Sequence, residues 1–146
     1  MRSIKLDNLL LVDDEKDHAE LIMKVLKEEE HLLNDIKWLK NGKEAVEYLA
    51  ENNEEKTLPG LILLDIKMPF LNGFEVLEYL KKDKLYKKIP IVMLTTSLNT
   101  DDVNKALELG ANDYIVKPVN WFDFEEKVRG IGKYWALISE ATKKHN

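Results

Sequence analysis

The chain contains no cysteine. That excludes a disulfide framework, a thiolate metal centre and a cysteine nucleophile, and it fits a reducing compartment. No apolar run approaches the roughly 18 residues of a membrane span, and the N-terminal MRSIKLDN lacks the apolar stretch of an export signal. Positive charge is in deficit: 22 Lys and Arg stand against 27 Asp and Glu, a formal net charge of −5. A field of that sign mildly repels nucleic acid and anionic membrane, so neither is expected as a partner. With 146 residues, six Gly and four Pro, the composition is that of one globular domain. A chain of this length buries roughly two-thirds of its unfolded surface without help from metal or cross-links. The expected location is the cytoplasm.

What is present is a repeating order. Short apolar runs at Leu9 to Val12, Gly60 to Leu64, Ile91 to Leu94 and Tyr114 to Val116, with a weaker one at Asp35 to Leu39, are each followed by residues at helical spacing. Leu21, Ile22, Val25 and Leu26 form the first such stripe, and Asp17 supplies an acid near its start. Ala45, Val46 and Leu49 form the second, within Gly42 to Asn52. Phe74, Leu77 and Leu80 follow Asn72-Gly73 in a helix that should stop before Pro90. Val103, Ala106 and Leu107 mark a thinner fourth helix, for which Gly110 is a left-handed stop. Phe124, Val128, Ile131, Trp135 and Ile138 mark a long last one. Continuous rather than alternating apolar runs suit strands buried on both faces. The architecture read from this pattern is α/β, a (βα)5 doubly wound parallel sheet.

In such a sheet the ligand site lies outside the carboxyl ends of the strands. The first run ends in Asp13, Asp14 and Glu15, the third in Asp65, the fourth in Thr95, Thr96 and Ser97, and the fifth in Lys117-Pro118. Three carboxylates crowded at one partly buried edge repel by about 4 kcal/mol per close pair at intermediate dielectric. A hard divalent cation with oxygen ligands answers that repulsion, Mg2+ best of all, and the Lys117 ammonium offers a fixed positive charge. Asp65 beside such a cation can attack phosphorus and form an acyl phosphate. Taken alone, Asp13-Asp14-Glu15 reads equally well as an acidic helix entrance, and Thr95 as an ordinary strand residue.

The stretches VDDE at 12–15, LLDIKMP at 63–69 with Asn72-Gly73, VMLTTS at 92–97 and GANDYIVKP at 110–118 resemble the receiver domain of two-component response regulators. The resemblance covers residues 7–140, leaves no room for an output domain, and so implies a single receiver domain over 1–146. It implies a flavodoxin-like sheet in the order 2-1-3-4-5, with Asp65 as phospho-acceptor. Asp13, Asp14, Asp65 and the backbone carbonyl of Lys67 are implied as Mg2+ ligands, with Mn2+ able to substitute. Thr95 and Lys117 match the residues that contact the phosphoryl group, and Thr95 and Tyr114 match the switch pair. A cis Lys117–Pro118 bond is implied, as is tuning of autodephosphorylation by Lys67 and Ser97. By spacing alone Tyr114 is a plain strand aromatic and Lys67 a solvated loop lysine.

The implied partners are a sensor histidine kinase or a histidine phosphotransfer protein, and a downstream protein target. A charged loop at Asn52 to Pro59 and an aromatic C-terminus, Trp121, Phe122, Phe124, Tyr134 and Trp135, are similar to the single-domain regulators that accompany bacterial phytochromes. Some of those dimerise through the face of the fourth and fifth elements. The plain alternative is that these rings pack into the core. His18, inside the first helix, reads as a surface histidine rather than a metal ligand.

Two other classes compete with this reading. A Mg2+-dependent phosphohydrolase with an aspartyl-phosphate intermediate shares much of this chemistry. The haloacid-dehalogenase type places a D-x-D pattern after its first strand, which Asp65-Ile66-Lys67 does not supply, and no insertion here is long enough for a cap. A flavodoxin-like redox carrier needs a phosphate loop where this chain puts three acids. The expectation is therefore a signalling module whose phosphotransfer and autodephosphorylation are self-directed, not an enzyme for an outside substrate.

Overall fold

Leu9–Val12, Leu61–Asp65 and Ile91–Thr95 are buried along their whole lengths, as strands are when helices cover both faces of their sheet. In the computed structural model of the protein, which describes residues 8–28, 36–54, 57–96, 100–117, 122–123 and 125–130, they are the three central strands. The order along the chain is β1 (Leu9–Val12), α1 (Lys16–Glu28), β2 (Ile36–Leu39), α2 (Gly42–Glu51), β3 (Leu61–Asp65), α3 (Gly73–Lys81), β4 (Ile91–Thr95), α4 (Thr100–Glu108) and β5 (Asp113–Val116). Residues 125–130 are again helical. All neighbours are parallel, in the order β2-β1-β3-β4-β5.

Alternation along the strands divides the core in two. Leu10, Val12, Ile62, Leu64 and Met93 face α2, α3 and α4 through Ala45, Leu49, Val76, Leu77, Leu80 and Ala106. Leu9, Leu11, Leu61, Leu63 and Ile115 face α1 through Ala19, Ile22, Val25 and Leu26, together with Val128 of the last helical segment. An ion pair of Arg129 with Glu28, 3.3 Å apart, ties that segment to the end of α1.

Local chemistry sets the helix ends. The Asn41 side chain accepts from the Glu44 amide at the start of α2. Asn72 and Glu75 form a reciprocal capping box at the start of α3. Gly110, at φ 105°, follows α4 in the left-handed region, as expected. The stop before Pro90 comes early, at Lys81. The Asp83 carboxylate then accepts from the Leu85 and Tyr86 amides and starts a separate 3-10 turn at Tyr86–Lys88. The last helix beyond residue 130 lies outside the described residues, as do Trp121, Phe124, Tyr134 and Trp135; Phe122 is 68% exposed.

Candidate functional site

The register of the central pair places the acids. Val12 is aligned with Leu64, so Asp13 and Asp65 stand at matching positions at the carboxyl ends of adjacent strands. Asp13, Asp65 and Lys117 share the parity of Leu11, Leu63 and Ile115, so all three side chains point to the α1 side of the sheet. There they meet. The Lys117 Nζ is 2.8 Å from Asp13 Oδ2 and 3.3 Å from Asp65 Oδ2, with Glu15 Oε1 at 4.0 Å. Asp13, Asp65, Thr95 and Lys117 are the buried polar residues among those described. Asp14, one residue on, is exposed, and oxygens of Asp13, Asp14 and Asp65 lie within 4.8 Å of one another.

The backbone holds these groups from several sides. The Asp13 amide donates to Leu39 O at 3.1 Å, and Asp13 Oδ1 accepts from the Glu15 amide at 2.9 Å. The Trp38 indole Nε1 on β2 donates to the Asp13 carbonyl at 2.8 Å. The Lys117 amide donates to Thr95 O at 2.6 Å, locking the ends of β4 and β5 together. The Gly73 amide donates to Ile66 O at 2.7 Å, which draws the start of α3 against the end of β3.

One ammonium serves two buried carboxylates, so charge is out of balance. Burial, the Asp13 charge and a hydrogen bond with Asp14 together push the Asp65 carboxyl up from 3.8 to about 8, against the opposing pull of Lys117. Burial is the largest cause. Lys117 Nζ and Asp13 Oδ2 are close without the alignment of a hydrogen bond, so the contact is one of charge with charge. A third carboxylate at this edge and a buried acid oxygen without a directed donor are what a hard cation site requires. The residues present fit a divalent ion.

The expected residues mostly converge. Asp13, Asp14, Asp65, Thr95 and Lys117 gather at one edge. Lys67 is exposed and lines an open cleft of about 490 Å3 beside them, together with Asp14, Ile66, Met68, Asn72, Phe74 and Asp102. Tyr114, on β5, is 39% exposed. Ser97 and Pro118 lie outside the described residues, and with Pro118 the expected cis bond. No sequence pattern marks the contact of Trp38 with Asp13, because it joins residues 25 apart through a side chain on another strand. His18 is mostly buried rather than on the surface, with Nδ1 2.9 Å from Glu15 Oε2. The three-residue spacing at the head of α1 was the available signal for that pair.

A parallel sheet in this order, carrying paired acids and a lysine at its strand ends, is the design of a flavodoxin-like receiver. The family model described as "Response regulator receiver domain" matches residues 9–129, and the chain belongs to that family. It is thus a receiver domain of two-component signalling and not an enzyme of the ordinary kind. The "Probable methanogenesis regulatory protein FilR2" of Methanothrix harundinacea (strain 6Ac) is 38% identical over 128 residues, covering 87% of this chain and 82% of that protein. The response regulator Rcp1 of Synechocystis sp. is 38% identical over 129 residues, covering 87% of each. The crystal structure of Mn(2+)-bound Rcp1 matches with a TM-score of 0.78 at 37% identity, over 88% of this chain and 94% of that one. That of the phosphorylated cyanobacterial phytochrome response regulator RcpA matches with a TM-score of 0.76 at 35% identity, over 88% and 92%. Among the described residues no helix is long and apolar enough to cross a membrane.

Proposed function

We propose that the chain accepts a phosphoryl group on Asp65 from the phosphohistidine of a sensor kinase or phosphotransfer protein, and signals through the change that follows. The observation that carries this reading is the buried meeting of Asp13, Asp65 and Lys117, with Nζ 2.8 and 3.3 Å from the two carboxylates. In the transfer an Asp65 carboxylate oxygen bonds to phosphorus while the bond from phosphorus to the imidazole nitrogen breaks, its electron pair returning to the ring. Hydrolysis reverses the change at the protein: water attacks phosphorus, inorganic phosphate leaves and the carboxylate is restored.

Each residue has a share in this. Asp65 must be deprotonated to attack, and burial, which raises its carboxyl to about 8, opposes that. Asp13, Asp14 and Asp65, with the Lys67 carbonyl, would hold Mg2+, or Mn2+ in its place. When bound, that ion supplies positive charge that favours the Asp65 carboxylate and the phosphoryl oxygens. Lys117 is held by burial where it can turn from Asp65 toward an incoming phosphoryl oxygen. The Thr95 hydroxyl donates to another such oxygen, and its movement lets the exposed Tyr114 ring turn inward. Lys67, at the cleft mouth, and Ser97 set how readily water reaches the acyl phosphate. Similarity to RcpA favours a phytochrome as the kinase, and Leu107 and Tyr114, exposed on α4 and β5, offer a face for dimerisation.

The test is incubation with acetyl phosphate and Mg2+ followed by mass spectrometry. One phosphoryl group should appear, on Asp65 alone, and none on Asp65→Asn. Acyl phosphate at another residue, or none with Mg2+ present, would overturn the assignment.

A further inference from the structure

Phe70 combines two unfavourable properties. The residue is 79% exposed, the largest exposure among the large apolar residues described as exposed. Its backbone sits at φ 69°, in the left-handed region that a residue with an aromatic Cβ substituent avoids. Glycine or asparagine would occupy that conformation more cheaply and would leave no ring in water. Strain of this kind persists where surrounding structure imposes it, and it gathers at functional sites.

The surroundings do impose it. The loop from Ile66 to Gly73 is closed by the Gly73 amide on Ile66 O and held at its far end by the Asn72–Glu75 capping box. Leu71, next in the chain, rests its carbonyl against Gly42 at the start of α2, where a Cβ would overlap it. Phe70 is therefore held outward by a fixed loop, five residues from Asp65 in the chain and between Met68 and Asn72, which line the cleft beside the acids. Fully extended, five residues reach about 18 Å, and the closed loop spans less.

That location selects the occupant. Asp65 is only 3% exposed, so a protein that delivers a phosphoryl group from a histidine must bring its own surface down onto the loops around it. A contact of ordinary size, about 800 Å2 on each partner, extends roughly 16 Å from its centre. Centred on Asp65, it is wide enough to reach over the loop that carries Phe70, whereas a small phosphodonor needs only the cleft. Exposed aromatics that become buried at an interface are its usual anchors.

Building on the phosphoryl-acceptor reading above, we propose that Phe70 is an aromatic anchor on which the phosphohistidine-bearing donor protein docks, distinguishing protein donors from small ones. The experiment compares wild type and Phe70→Asn with two donors. One is acetyl phosphate; the other is whichever phosphorylated histidine kinase or phosphotransfer protein labels wild type fastest in a transfer screen. Phe70→Asn should accept phosphoryl from acetyl phosphate at the wild-type rate and remain at least as stable to urea. With the protein donor, kcat/KM should fall about tenfold, carried by KM, and Phe70→Trp should restore it.

Unchanged transfer from the protein donor would overturn the proposal. So would an equal loss with both donors, which would place the effect in the acidic site. A change confined to sedimentation, with both transfers intact, would assign the ring to contact between copies and overturn it too. If wild type took phosphoryl on Asp65 from neither donor, the acceptor reading itself would fail, and this proposal with it.

Discussion

Gly73 presses directly on the backbone of Asp65. A Cβ at Gly73 would overlap the Asp65 carbonyl oxygen and stand 2.8 Å from the Cα of Ile66. Both sides of the contact are main chain, so no flexible side chain can yield. Gly73→Ala should destabilise the protein by about 1–3 kcal/mol in urea denaturation, and it should weaken Mg2+ binding because relief comes only by shifting β3. A variant with wild-type stability and metal affinity would show that the two segments are not in contact.

The raised carboxyl of Asp65 makes metal-free stability depend on pH in a defined direction. A group at 3.8 when unfolded and about 8 when folded binds more protons in the folded state between those values. Its stabilising share is complete below 3.8 and is lost as pH rises to about 8. Thermal melts in chelator should therefore show stability from this group declining over that window. Asp65→Asn should flatten the decline and be the more stable protein at pH 8. A wild-type slope that survives in Asp65→Asn would assign it to other groups.

The same proton must leave when a cation binds. Below about pH 8 the apparent Mg2+ affinity should rise close to tenfold per pH unit, with one proton released per ion. Calorimetry in two buffers of different ionisation enthalpy counts the protons directly. Binding without proton release would mean that Asp65 is already ionised in the metal-free protein.

Lys117 is a structural and a chemical group at once. Lys117→Ala leaves Asp13 and Asp65 buried without their shared cation, which should lower metal-free stability by about 3–5 kcal/mol. Added Mg2+ should recover part of that loss. Phosphoryl transfer from acetyl phosphate should remain slowed by about 100-fold or more even in the Mg2+-stabilised protein. Recovery of both together would limit the lysine to a role in folding.

Trp38 ties an edge strand to the site. Trp38→Phe keeps the ring and removes the indole donor from the Asp13 carbonyl, at a cost of about 0.5–1.5 kcal/mol. The loss should appear in Mg2+ affinity as well as in stability. Mg2+ titration of wild type should also perturb tryptophan emission, and the perturbation should shrink in the variant.

Much of this arrangement was legible in the residues themselves. β1, β3 and β4 stood out because burial on both faces leaves unbroken apolar runs, and the acids and Thr95 stood out because they directly follow them. β2 was faint for a physical reason: at the sheet edge only Leu39 is buried, and Lys37 is exposed. Contacts set by register were out of reach, Trp38 on Asp13 above all. No pattern marks Phe70 as left-handed, since an aromatic side chain gives no sign of that backbone state. The proton affinity of Asp65 depends on how deeply the strand end is covered, which sequence order does not specify.

The alignment of Val12 with Leu64 restricts how such a protein can diverge. Removing one residue from β1 or β3 would send Asp13 or Asp65 to the opposite side of the sheet, away from Lys117, with no single replacement able to repair it. Length changes are consequently confined to connections between the elements, such as the one that joins α2 to β3, where growth leaves the chemistry untouched. Novelty in partner choice can accumulate there and on exposed rims, while the strands that hold the acids change only by exchanging one apolar side chain for another.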